Sequence, residues 1–342
     1  MFSECEKLTD ITLPETITYI EGQVFYGCKA LSSITLPPEI ETIESECFRG
    51  CDSLSEIVIP DKVTTIGTKA FYQCPALQSV TLPEGLLTIG YTVFSYDTAL
   101  EEITLPESLE TISSSAFSNC SSLKTIHIPA NVTKISDSDT DSGSYSWCFY
   151  GCESLTAFTV DENNPKYSAL DGGLYDKTQT RLIYVPSARS ESLVIPDTVT
   201  DINRWAAYNC LDMHCVTIPA SVVNIGDGAI SYYNSGFTYS RVPHFRLYVV
   251  KDTAGEKYAQ GLKFYDNGLQ KNGYYLYTLD AVPSGDVNKD GEFSVVDVIQ
   301  FQKWLLKVPD VTLTDWKAVD FYADGVLNIY DLALMKRELL SK

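Results

Sequence analysis

Apolar positions recur along this chain every 23 residues. Phe2, Phe25, Phe48, Phe71, Phe94 and Phe117 keep that spacing, as do Pro14, Pro37, Pro60, Pro83, Pro106 and Pro129. Ile20, Ile43, Ile66, Ile89, Ile112 and Ile135 form a third column. Cys5, Cys28, Cys51, Cys74 and Cys120 form a fourth, in which Asp97 stands where a cysteine would fall. Each unit reads L-x-x-I-x-L-P-x-x-I-x-x-I-x-x-x-A-F-x-x-C, as from Leu54 to Cys74. Alternation before each proline predicts a short half-buried strand, which the proline ends because it cannot donate to a ladder. Residues two and four before the proline then point outward. They are Thr12, Thr35, Val58, Thr81, Thr104 and His127 in one row, and Asp10, Ser33, Glu56, Ser79, Glu102 and Thr125 in the other.

One such unit cannot cover its own apolar face. Neighbours therefore stack at about 4.8 Å, and the columns merge into one continuous core. The expected fold is an α+β solenoid. The repeat resembles the BspA-type leucine-rich repeats of bacterial surface proteins, and the resemblance extends over about residues 1–266. Within it, Phe158 to Pro186 resembles the hairpin-like irregular unit that these proteins insert between regular coils, and regular coils resume at Pro196 and Pro219. Leu247 to Tyr265, with a short helix over Ala254 to Ala259, resembles their final coil. Phe2 and Cys5 are already in register as the end of a repeat, so the chain is expected to begin within a solenoid, its cap and any export leader lying before Met1.

The ten cysteines invite a disulfide or metal reading. Column members on successive coils point the same way into the core, so they are expected to be free thiols acting as small hydrophobes. Cys47/Cys51 and Cys148/Cys152 are spaced i, i+4, yet no histidine accompanies either pair, which argues against zinc. His127 occupies the outward threonine row and is expected on the sheet surface. His214 beside Cys215 carries no recognisable peptidase signature.

Composition and period change after about Asp280. In DVNKDGEFSVVD, Asp286, Asn288 and Asp290 take positions 1, 3 and 5 of a calcium loop, Gly291 the sharp turn at 6, and Asp297 position 12. The carbonyl of Glu292 completes the ring, and Ser294 can hold a water. A second copy lies 34 residues on, with Asp320, Asp324, Gly325, Val326, Asn328 and Asp331 at positions 1, 5, 6, 7, 9 and 12. Val298, Phe301 and Leu305 recur as Leu332, Met335 and Leu339 under the same shift. Two calcium ions are the expected cofactors, the second held less firmly because Tyr322 replaces the oxygen ligand at position 3.

A loop followed by one helix, twice, with no entering helix, resembles a type I-like dockerin, the small all-α module that plugs into the cohesins of a cellulosomal scaffoldin. The resemblance covers residues 285–342 and leaves 267–284 as a linker, with Trp316-Lys317-Ala318 in a short connecting helix. It implies a cohesin partner, met by Val295, Val296 and Lys303 on one half and by Ile329, Tyr330, Lys336 and Arg337 on the other. The second half has the aromatic and the guanidinium that carry interface energy, which favours it. Positions 10 and 11 differ between the halves, Val295-Val296 against Ile329-Tyr330, so a symmetric dual binding mode is not expected.

Acids outnumber bases by 45 to 25, a net charge of −20. That excludes the basic footprint of a nucleic-acid or anionic-membrane surface. No apolar run approaches the roughly 20 residues of a membrane span. Asp137, Asp139 and Asp141 sit in an insertion between Ile135 and Phe149 that lacks the position-6 glycine, and it reads as a solvated loop. Aromatic residues that could anchor a ligand gather at Tyr145, Trp147 and Tyr150, and at Arg204, Trp205, Tyr208, Tyr232 and Tyr233. Nothing in the solenoid assembles an acid, a base and a nucleophile. The chain therefore reads as a non-catalytic, secreted, monomeric cellulosome component whose solenoid binds a protein or a glycan. The alternatives are the accessory region of a larger dockerin-bearing peptidase or glycoside hydrolase whose catalytic module precedes Met1, and a stiff spacer.

Overall fold

The regular coils build two strand ladders where the hydrophobic pattern announces one. The computed structural model describes residues 2–135, 148–190, 192–213, 215–230, 232–234, 239–241, 246–261, 263–266, 269–272, 275–279, 285–314, 316–321 and 327–341. The expected strands are seen before Pro60, Pro83 and Pro129, where Glu56–Val58 pairs in parallel with Ser79–Thr81 and Thr125–Ile128 with Ala157–Val160; before Pro14, Pro37 and Pro106 the chain runs without a strand. In each, the central Ile57, Val80, Ile126 and Phe158 are buried, and the outward residues are exposed. The second ladder is a five-stranded parallel sheet of Thr42–Ile43, Thr65–Ile66, Thr88–Ile89, Thr111–Ile112 and Lys134–Ile135. Two residues are too short to show a period, so only the isoleucine column betrays these strands in the sequence. On the remaining side the N–H of Phe25, Phe48, Phe71 and Phe94 reaches a carbonyl of the next coil at 2.8–3.1 Å.

The columns fuse as stacking requires. Phe25, Phe48, Phe71, Phe94 and Phe117 are fully buried, and successive rings stack with centroids 5.3–5.6 Å apart. Phe2 and Phe149 extend the stack at its two ends. All ten cysteines are free, and nine are buried. They are more than small hydrophobes, because the buried column thiols donate to the phenylalanine carbonyl one coil back: Cys28 Sγ to Phe2 at 3.1 Å, Cys51 to Phe25 at 3.2 Å, Cys74 to Phe48 at 3.1 Å and Cys120 to Phe94 at 3.0 Å. Burial pushes the Cys47 and Cys152 thiols up to about 12 and the Cys74 and Cys120 thiols well above their usual value, so the column stays protonated and inert.

The irregular unit is an antiparallel meander, Tyr167–Leu170, Gly173–Asp176 and Arg181–Tyr184, whose last strand returns to the parallel ladder beside Asp201–Ile202 and Asn224–Ile225. Polar side chains join it to the regular array. Buried Asn164 gives both amide hydrogens to the Pro129 and Val132 carbonyls and accepts the Lys166 and Tyr167 N–H groups, all within 2.9 Å. Tyr167 Oη accepts the Ile135 N–H at 2.9 Å, and Tyr184 Oη the Cys148 N–H at 3.2 Å. These groups pair backbone that the change of geometry would otherwise orphan.

The chain divides into two compact units, one of residues 1–192, 196–214 and 224–245, the other of 193–195, 215–223 and 246–342. In the second, Leu193–Val194, Cys215–Ile218, Arg246–Val250 and Tyr275–Leu279 form a parallel sheet in that order. The helix Ala254–Gly261 follows its third strand. Within the segment 267–284, expected as a linker, Leu269–Asn272 pairs with Lys263–Asp266, and Tyr275–Leu279 extends the sheet. Its tyrosines and leucines favour a strand, and Arg246–Val250 offers an unpaired edge. Beyond it, helices Val295–Leu305 and Ile329–Ser341 and the 3₁₀ turn Lys317–Val319 close over a core of Val287, Val298, Phe301, Val319, Leu332 and Met335.

Candidate calcium loops and recognition surfaces

The first loop folds its carboxylates onto its own backbone. Asp286 accepts the Asp290 N–H at 3.1 Å through Oδ1 and the Gly291 N–H at 2.9 Å through Oδ2. Asn288 Oδ1 accepts the Asp290 N–H at 2.9 Å and its amide donates to Asp290 Oδ2 at 2.7 Å, while Asp290 Oδ1 takes the Glu292 N–H at 2.9 Å. Gly291 turns the chain with φ of +94°, in space a Cβ would not fill, so conformation alone requires glycine here. Gly285 is held by both conformation and space, with φ of +75° and a Cβ that would come within 2.4 Å of the Phe293 ring.

Asp297 closes the loop and starts the helix. Its Oδ1 accepts the Val287 N–H at 2.9 Å and the Asn288 N–H at 3.4 Å, and its Oδ2 the Ser294 N–H at 2.9 Å and hydroxyl at 3.2 Å. Ser294, read as a water holder, caps the helix with its hydroxyl accepting the Val296 N–H at 3.2 Å. The Asp297 carboxylate is fully buried and all four of its donors are neutral. A buried carboxylate answered only by neutral donors, beside an oxygen-only set from Asp286, Asn288, Asp290 and the Glu292 carbonyl, suits a hard divalent cation.

The second loop repeats the frame. Asp331, 34 residues after Asp297, is also fully buried and accepts the Asn328 N–H at 2.9 Å. Asp320 and Asn328 are half-buried at its two ends. Tyr322, Asp324, Gly325 and Val326 lie outside the described residues. The internal symmetry reaches the core, where Val298 and Phe301 face Leu332 and Met335. Of the residues expected against a partner, Val295, Val296, Lys303, Ile329, Lys336 and Arg337 are all exposed; the Tyr330 side chain is not described. The structure adds Ile299, 46% exposed beside Val295 and Val296, which the i, i+4 spacing could have revealed.

On the solenoid, the two expected aromatic groups meet. Tyr150 and Tyr208 lie 5.3 Å apart, Trp205 stands edge-on to Tyr208 at 5.3 Å, and Arg204 lies over the Trp205 ring at 5.6 Å. Tyr145, Trp147, the side chains of Tyr232 and Tyr233, the acidic insertion 137–141 and His214 lie outside the described residues. A second row escaped the sequence reading: the Arg49 guanidinium sits between the Tyr26 and Tyr72 rings at 5.3 and 5.2 Å. The three residues follow Phe25, Phe48 and Phe71, so the 23-residue period marks them. Tyr72 meets Tyr96 edge-on at 5.6 Å, beside an open depression lined by Lys69, Tyr91, Ser95 and Asn119. Among the described residues no helix is long and apolar enough to cross a membrane.

The family model described as BspA type leucine rich repeat region matches in six copies over residues 1–96, 23–141, 98–171 and 182–244, and that of the dockerin type I domain matches residues 284–340. Both modules are non-catalytic. Among solved structures the chain is similar to a leucine rich cell surface protein of Faecalibacterium prausnitzii A2-165, 29% identical with a TM-score of 0.51 over 70% of this chain and 69% of that one. It is also similar to a leucine-rich repeat protein of Eubacterium ventriosum ATCC 27560, 27% identical with a TM-score of 0.52 over 66% of this chain and 55% of that one. The comparison with curated proteins finds no match.

Proposed function

The chain belongs to the BspA-type leucine-rich repeat proteins and carries a type I dockerin domain at its C-terminal end, and from that premise we propose that it is an extracellular, non-catalytic cellulosome component. Its dockerin binds a scaffoldin cohesin when calcium is bound, and its solenoid binds a protein or glycan. The observation that carries the reading is the pair of buried loop aspartates, Asp297 and Asp331, each at the head of a helix. Calcium would be held by Asp286, Asn288, Asp290, Asp297 and the Glu292 carbonyl in the first loop, and by Asp320, Asp324, Asp331 and the Val326 carbonyl in the second, with Ser294 and Asn328 at position 9. The ion supplies the positive charge that lets these carboxylates approach one another and so fixes the angle at which the helices are presented.

The cohesin-facing surface is that of the second half, Ile329, Tyr330, Lys336 and Arg337, with Val295, Val296 and Lys303 as the lesser face. The solenoid's contribution is supported by the aromatic rows, since its outward strand face is small, polar and acidic and offers few anchors. Titration calorimetry of the full chain against a panel of cohesins from its own genome tests the attachment role. Binding in millimolar calcium that chelation abolishes is the expected result, and a panel in which no cohesin binds overturns it. Truncating Tyr330 or Arg337 should cost about 2 kcal/mol and Val295 less than about 1 kcal/mol; the reverse order would move the face to the first half.

A further inference from the structure

The outward row of the regular coils runs Thr35, Val58, Thr81 and Thr104 and then breaks at His127. The imidazole lies in register with Thr159 on the next coil, whose hydroxyl is 2.9 Å from Nδ1. Asp161 takes the position that proline holds in the preceding coils, because the irregular unit begins there, and its N–H reaches the Ile128 carbonyl at 3.0 Å. Glu107 follows Pro106 on the coil before His127. Parallel stacking thus aligns three chemistry-bearing residues from three successive coils. One ligand atom from each of Glu107, His127 and Asp161 lies within 4.8 Å of the other two, with Glu107 and His127 exposed and Asp161 half-buried.

We propose that Glu107, His127 and Asp161 form a binding site for a divalent transition-metal ion, zinc being the class the donors suit. One imidazole nitrogen and two carboxylates are a mixed set that favours zinc over calcium or magnesium, which prefer oxygen alone. Tetrahedral zinc, with bonds of about 2.0–2.2 Å, places its ligand atoms roughly 3.3–3.6 Å apart. The observed span closes to that by a shift on the order of 1 Å, within the torsional freedom of exposed side chains. The Thr159 hydroxyl holds the ring at Nδ1, and in the tautomer in which Nδ1–H donates to it the lone pair is on Nε2, the support that metal-bound histidines receive from their surroundings. Three protein ligands leave a coordination position for water or for an acceptor group of a bound partner.

The repeat supplies its own control. Glu15, Asp61 and Glu84 follow their prolines as Glu107 does, but the residue facing outward one coil on is Thr35, Thr81 and Thr104 respectively. A general solubilising row of acids accounts for those positions, while only Glu107 is met by an imidazole and then by a second carboxylate. The site is separate from the calcium loops, and its test does not depend on them.

The measurement is calorimetric titration of zinc into the full chain carrying Cys5→Ser, which removes the exposed thiol, in millimolar calcium so that the C-terminal loops are occupied. Cobalt in place of zinc gives a ligand-field absorption as a second readout. One equivalent is expected to bind, and His127→Asn and Asp161→Asn should each weaken it by at least about tenfold. Glu84→Gln should leave it unchanged. The substituted side chains at 127 and 84 are exposed, so an unaltered melting temperature checks that the fold is retained. Absence of a saturable equivalent overturns the proposal, as does an equivalent that survives both His127→Asn and Asp161→Asn.

Discussion

Two aspartates, Asp97 in the solenoid and Asp297 in the dockerin, are both fully buried, and the protein treats them in opposite ways. Asp97 replaces a thiol in the cysteine column: its Oδ1 accepts the Cys74 N–H at 2.8 Å, and its Oδ2 meets no partner. Burial raises its carboxyl well above the usual range and so favours the neutral form. Asp297 has both oxygens filled by four donors and shares its loop with Asp286, Asn288 and Asp290. The solenoid is built from repeated apolar columns, and burial in the cysteine column favours the uncharged carboxyl. The dockerin has a small core and gathers carboxylates that a cation can answer. The difference teaches that burial alone does not mark a functional acid; the donors around it do.

The largest effect expected is from chelation. Eight aspartates in residues 285–342 repel one another without a cation. Calorimetry of the full chain should therefore lose the dockerin transition in chelator while the solenoid transition stays in place. A dockerin transition that does not move would remove the contrast between the two regions. Within it, Asp286→Ala should weaken calcium binding more than Asp320→Ala, because Tyr322 already deprives the second loop of an oxygen; equal losses would count against that ranking.

Next in size is Asn164→Ala, which breaks four hydrogen bonds at once, three of them buried, and should cost about 3 kcal/mol in denaturant unfolding of the solenoid. A loss below about 1 kcal/mol would mean water or relaxation replaces the amide. Asp97 gives a pH-dependent effect. Its unfolded carboxyl ionises near pH 4 and its folded one at higher pH, so the native state holds more protons above that point. Stability is complete below about pH 4 and declines as pH rises toward the folded value. Asp97→Asn keeps the acceptor for Cys74 and should be more stable than the parent at pH 7 by about 1–3 kcal/mol, with the two alike at pH 4. A gap independent of pH would show that Asp97 is not the source. The smallest effect is Cys51→Ser, at about 1 kcal/mol or less, because the Phe25 carbonyl is already placed to accept the new hydroxyl. Thermal unfolding reads it, and a cost above about 3 kcal/mol would return the column to pure hydrophobic packing.

The sequence by itself determined the repeat, the strands before Pro60, Pro83 and Pro129, the outward row, the free cysteine column and the paired loop-helix module. Each is periodic or carries a fixed spacing, and periodic burial follows from chain geometry whatever the neighbours are. What it left open depends on which coil lies beside which. The strands that carry the isoleucine column are two residues long and exist only because five of them align. The strand Tyr275–Leu279 forms against an edge far back in the chain. Tyr150 meets Tyr208, and Glu107 meets His127 and Asp161, across intervals that no single period connects. Those encounters are decided by stacking, which converts separations of tens of residues into a few ångströms and is settled only when the whole solenoid has closed.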